Sequence, residues 1–190
     1  KLYEARLQFL LTYKKRMKML YIKKVEEYLL NSHLNKIQDT FDISTGLFND
    51  NRLLGAKQKF ELCETYALKA VECAKRLNHY HSYLHLFHEY AFRCSGTCAI
   101  IHEKLHQYDE ALELLYKTLA EIQSVNYYPK YEIVTLKRIG NLNIKLERFN
   151  KGHEALEKIV AVVDKQKKEQ CTINIQKNKQ DVPSWLDGAK

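Results

Sequence analysis

Two runs in this sequence place metal-ligating side chains on one helical face. His81, His85 and His88 recur at i, i+4 and i+7, and Cys94, Cys98, His102 and His106 follow at four-residue steps. Histidines one turn apart can share a zinc ion, with cysteine thiolates completing a tetrahedral set. One straight helix, however, cannot wrap four ligands around an ion, and no second cluster with paired short spacings exists elsewhere in the sequence. These residues read instead as members of a packed, aromatic-rich helix, so no metal and no cofactor is expected. Glu103, Glu110 and Glu113 lie near His102 and His106. Carboxylates without a pocket-forming loop are poor material for general acid–base work. The chain has no GxSxG, no Walker-type GxxxxGK and no GxGxxG. It is not expected to be an enzyme.

A third pattern is electrostatic. Lys14, Lys15, Arg16, Lys18, Lys23 and Lys24 form a basic cluster without an acid among them, in a chain of formal net charge +8. Such a cluster is a solvated stripe or a surface for an acidic partner: a peptide, an RNA or an anionic lipid surface.

The elements that carry these residues are helical. Six Gly and two Pro in 190 residues, with Leu, Lys and Glu abundant, leave few breakers, and strand-like alternation is nowhere sustained. The length suits one domain. Five cysteines without CxxC spacing fit a reducing compartment, so an intracellular location in cytoplasm or nucleus is expected. No apolar run approaches the ~18 residues that span a bilayer, and no membrane insertion is expected.

Taken in order, residues 2–32 read as one long helix. Residues 33–50 hold dense turn chemistry in Asp39, Asp42, Ser44, Thr45, Gly46, Asn49 and Asp50, with Asp50 or Asn51 as the cap of the next helix. Residues 51–78 read as a second helix pairing with 2–32. A hairpin follows, its helices at about 80–106 and from Tyr108 to about 125. Pro129 then opens the last hairpin from the first turn of a helix. The turn of that hairpin is at Glu147–Arg148, and its second helix ends near 168. The domain therefore spans 1–168, and 169–190 reads as a basic C-terminal tail.

The last hairpin, LKRIGNLNIKLERFNKGHEALEKIV at 136–160, resembles the tetratricopeptide repeat (TPR). Ile139-Gly140 matches the repeat's Leu-Gly pair, Phe149 its turn aromatic, and Gly152 its small residue in the second helix. A glycine inside a helix costs about 1 kcal/mol relative to alanine, so two at mirrored places predict close helix–helix approach. In the middle hairpin Ala111 takes the small position, Leu115 the next core position and Ala99 the slot of Gly140. Leu54-Gly55 and Ala67 repeat the interval a third time, without a turn between them. The spacing exceeds the standard repeat of about 34 residues.

The resemblance implies an all-α fold of antiparallel helical hairpins stacked as a TPR-like α-solenoid. It further implies a non-catalytic protein–protein interaction scaffold that binds a peptide or helix of a partner, an acidic one, in a larger complex. An RNA-binding helical repeat is the alternative. In such arrays the first helix of each hairpin lines the binding face. By register that face holds Arg93, Thr97, Ile100, Glu103 and Lys104 in one hairpin, and Val134, Lys137, Arg138, Asn141 and Lys145 in the next. Lys137, Arg138 and Asn141 stand where related repeats place a carboxylate clamp, whose strength comes from charge-assisted hydrogen bonds. Gly96 and Ile100 occupy slots that a full clamp makes polar, so a generic acidic-peptide groove is the expectation.

Overall fold

The computed structural model describes residues 2–77, 81–125 and 128–180. Six α-helices follow in order: α1 Leu2–Asn49, α2 Leu53–Arg76, α3 His81–Lys104, α4 Tyr108–Ser124, α5 Pro129–Lys145 and α6 Phe149–Gln180. The described residues contain no strand. The fold is all-α. The segment 181–190, with Trp185, lies outside the described residues, while α6 carries helix past residue 168 to Gln180.

Three of the connections are the same turn. Asn51, His106 and Glu147 all adopt left-handed backbone, with φ of 59°, 60° and 60°. The next amide donates back to the last turn of the preceding helix each time: Arg52 N to Leu47 O, Gln107 N to His102 O, and Arg148 N to Asn143 O. The left-handed residue itself donates to Phe48 O, Glu103 O and Ile144 O. These are complete Schellman caps, which satisfy carbonyls that a helix end otherwise leaves without partners. None of the three uses glycine. Asn51 is thus the left-handed cap of α1 and does not cap α2, whose N-cap is Arg52 without a side-chain hydrogen bond.

Counted from these turns, the small residues fall into register. Ser44, Ala99 and Gly140 precede the left-handed residue by one interval, and Ala56, Ala111 and Gly152 follow it by another. All six are buried. Ser44 and Ala56 therefore hold the slots that sequence spacing assigned to Gly55 and Ala67. In the last hairpin the close approach is visible atom by atom. A Cβ built on Gly140 would stand 3.6 Å from Ala155 Cβ and from Gly152 O, and one on Gly152 would stand 2.7 Å from Ile144 Cγ1.

The turn expected across 33–50 is not there, because α1 runs unbroken to Asn49. The hydroxyls of Thr40, Ser44 and Thr45 donate to the carbonyls of Lys36, Thr40 and Phe41, one turn back. Side chains that favour turns are thereby satisfied inside the helix. Packing supplies the rest, since Leu30, Ile37 and Ser44, spaced seven apart, are fully buried. Tertiary burial, more than propensity, holds most protein helices. In consequence α2 pairs with the C-terminal half of α1, and of the expected partner 2–32 it reaches only the last residues.

The chain divides into two compact units, Lys1–Ile101 and His102–Lys190. In the first, Phe60 of α2 meets Phe41 of α1 edge-on at 5.5 Å, and Lys36 sits 3.9 Å over the Tyr66 ring. On α3, Tyr90 meets the same Phe41 edge-on at 5.5 Å, and the Tyr83 hydroxyl donates to Asn31 Oδ1. The side chains of 8–25, by contrast, are exposed throughout. In the second unit α5 packs against both α4 and α6. Its core holds Leu112, Leu115, Leu119 and Ile122 from α4 and Leu136, Ile139 and Leu142 from α5.

Candidate functional site

The face expected on α5 is a single stripe. Val134, Lys137, Arg138, Asn141 and Lys145 recur at three- and four-residue steps, opposite the buried Leu136, Ile139, Leu142 and Asn143. Val134, Lys137, Asn141 and Lys145 are exposed, and Arg138 is half-buried. Helical periodicity alone brings the five together.

One carboxylate already reaches this stripe. Glu103, in the last turn of α3 and inside the second unit, lies 3.7 Å from Lys145 Nζ. The same Lys145 ammonium stands 4.5 Å over the Tyr108 ring. Burial pulls the Arg138 guanidinium below its ordinary pKa, and the charge of Glu103 acts in the opposite direction. The residues around it are fixed in turn, with Arg148 paired to Asp109 at 3.0 Å and His106 Nδ1 2.8 Å from the Tyr108 hydroxyl. Partly exposed ion pairs contribute at most about 1 kcal/mol, so Glu103 is a weak occupant. Sequence register placed Glu103 on the binding face but gave no sign of this pairing. The contact joins two helix ends separated by a whole hairpin, and nothing local encodes it. Lys104, on the same last turn, is exposed.

Arg93 and Thr97 belong to the first unit. Arg93 is exposed, yet its guanidinium lies 4.5 Å over the Phe41 ring and 5.8 Å from that of Tyr90. Thr97 Oγ1 donates to the Arg93 carbonyl. A guanidinium over aromatic faces is held by the ring quadrupoles, and Arg93 thereby ties α3 to α1.

The cysteines and histidines follow a packing logic. Cys63, Cys94 and Cys98 are buried and reduced. The Cys63 thiol donates to Ile37 O at 3.4 Å, and that of Cys98 to Lys57 O at 3.9 Å. A hydrogen bond between Cys94 and Cys63 lowers the pKa of Cys63 and, with burial, raises that of Cys94. Burial pushes Cys98 up to about 12. Buried thiols without access to water are inert. His102 Nδ1 is bonded to Gln107 Oε1 at 2.9 Å, and the His81 side chain lies outside the described residues. Among those residues no group of three or more His, Cys, Asp or Glu side chains is placed to hold a metal ion.

No protein-family model matches the chain, and neither a curated protein nor a solved structure does. No described helix is long and apolar enough to cross a membrane.

Proposed function

We propose that this chain is a non-catalytic interaction scaffold of TPR-like helical hairpins, whose α5 face binds an acidic peptide of a partner protein. The observation that carries this reading is the gathering of Arg138 and Lys145 toward one carboxylate, Glu103, beside exposed Lys137 and Asn141. A surface that collects an internal carboxylate from cations on one stripe has the donors to take an external one. Val134 adds an apolar contact at 46% exposure. An incoming peptide would displace Glu103 at small cost and gain charge-assisted hydrogen bonds from the released groups. The repeated caps and small-residue pairs support the hairpin-repeat reading independently of any ligand.

The test is fluorescence anisotropy with a labelled, unstructured Glu-rich peptide titrated by the full chain. Lys137→Glu should weaken binding by about tenfold, equivalent to about 1.4 kcal/mol. Glu103→Gln should strengthen it, because the internal competitor loses its charge. Binding indifferent to both substitutions would sink the proposal. Displacement of the peptide by a short RNA, with a steep salt dependence, would transfer the face to nucleic acid.

A further inference from the structure

The seam that α2 fills on α1 continues beyond the end of α2. The two helices run antiparallel, with Leu47 beside Gly55, Phe41 beside Phe60 and Ile37 beside Cys63. At that register Arg76 and Leu77 come level with Glu26, and α3 enters near Asn31 through Tyr83. Upstream of these points the packed face of α1 goes on as Thr12, Arg16, Met19 and Lys23, with no described helix of this unit laid on it. A groove of about 740 Å³ lies there. Met19, Leu20, Ile22 and Leu77 give it an apolar floor. Lys15, Arg16, Lys23 and Arg76 stand around it, with Glu26 the one acid in its lining.

We infer that this groove seats an amphipathic helix of an acidic partner protein, lying along α1 as an end-to-end continuation of α2. The inference does not rest on the α5 reading. Charge selects the partner's sign, because four cations against one carboxylate favour an acidic surface. The aliphatic floor selects an apolar face, and residues 8–25 give a bed of about 27 Å at the helical rise of 1.5 Å per residue. Recognition of this kind reads side chains spaced i, i+3, i+4 and i+7. The same charges oppose other occupants. A second copy would bring the same basic cluster to this one.

The experiment uses the full chain and two labelled probes of identical composition, each an 18-residue peptide of Glu, Ala and Leu. One sets its leucines on a single helical face and the other scatters them. The amphipathic probe should bind at least about tenfold more tightly. Lys15→Glu with Arg16→Glu should weaken it about tenfold, whereas Lys14→Glu with Lys18→Glu, the same charge change on the far side, should cost under about threefold. Circular dichroism of both variants should match the parent. Equal binding of the two probes, or equal loss in the two double variants, would show bulk attraction and overturn the assignment. So would loss on Lys137→Glu alone, which places the probe on α5. A gain of about tenfold on removing 181–190 would name the tail as occupant. A dimer abolished by Lys15→Glu with Arg16→Glu would name a second copy, and displacement by short RNA would name nucleic acid.

Discussion

At the scale of single residues, Gly140 and Gly152 look equivalent in sequence and are not equivalent in space. A Cβ on Gly140 meets its neighbours at 3.6 Å, ordinary contact, whereas one on Gly152 meets Ile144 Cγ1 at 2.7 Å and Gly140 O at 3.4 Å. Gly140→Ala should therefore be neutral or stabilising by up to about 1 kcal/mol, the helix-propensity difference. Gly152→Ala should cost about 1–3 kcal/mol through overpacking. Urea denaturation of the two variants checks both signs. His88 gives a second expectation. Burial, with the charges of Lys75 and His85, lowers its pKa from the ordinary 6.5 to about 4. Between those values the unfolded chain takes up a proton that the folded chain refuses, so stability should fall as pH drops through that window and level off below it. Denaturation midpoints across the window should show that slope, and His88→Phe should flatten it. All three residues were visible in the sequence as members of a pattern. Their individual energetics were not, because these depend on which neighbours the packing supplies.

Among the elements, α1 departs most from what its residues suggest locally. Asp39, Asp42, Thr45 and Gly46 are turn formers, yet they stand in a helix whose Leu30, Ile37 and Ser44 are fully buried. The first hairpin's repeat was hidden for a related reason. Gly55 and Ala67 imitate the interval that Ser44 and Ala56 actually occupy, and serine is not conspicuous as a small core residue. The stripe on α5 was legible, since periodicity alone assembles it, and so were the start of α5 at Pro129 and the turn at Glu147. The two halves of α1 should behave differently in hydrogen exchange. The side chains at 8–25 are exposed and carry like charges one turn apart at Lys14 and Lys18, which destabilise a helix. The amides there should exchange about a hundredfold or more faster than those at 30–48, and added salt should slow them selectively. Equal protection along α1 would contradict the exposure of its first half.

For the whole molecule, the division between Ile101 and His102 falls inside one continuous helix, α3. Each unit has its own buried side chains: Phe60, Cys63 and Phe87 in one, Leu115, Leu136 and Ile139 in the other. Cooperative opening follows such clusters. Gly152→Ala is thus expected to reduce amide protection across α4, α5 and α6 while leaving α2 unchanged, as mass spectrometry of exchanged peptides can read. Uniform loss across both units would mean that the chain opens as one block.

The three Schellman turns carry a consequence for how such a chain can grow. The backbone hydrogen bonds that close each bend lie within a few residues of Asn51, His106 or Glu147, so a helix can be lengthened at its far end without disturbing the joint. That separation is visible here, where the same joint closes a first helix of 48 residues and another of 17. The fixed elbow and the elastic arm are under separate control. An insertion that ruins one of these bends costs a hairpin, while one upstream merely extends the reach of the molecule.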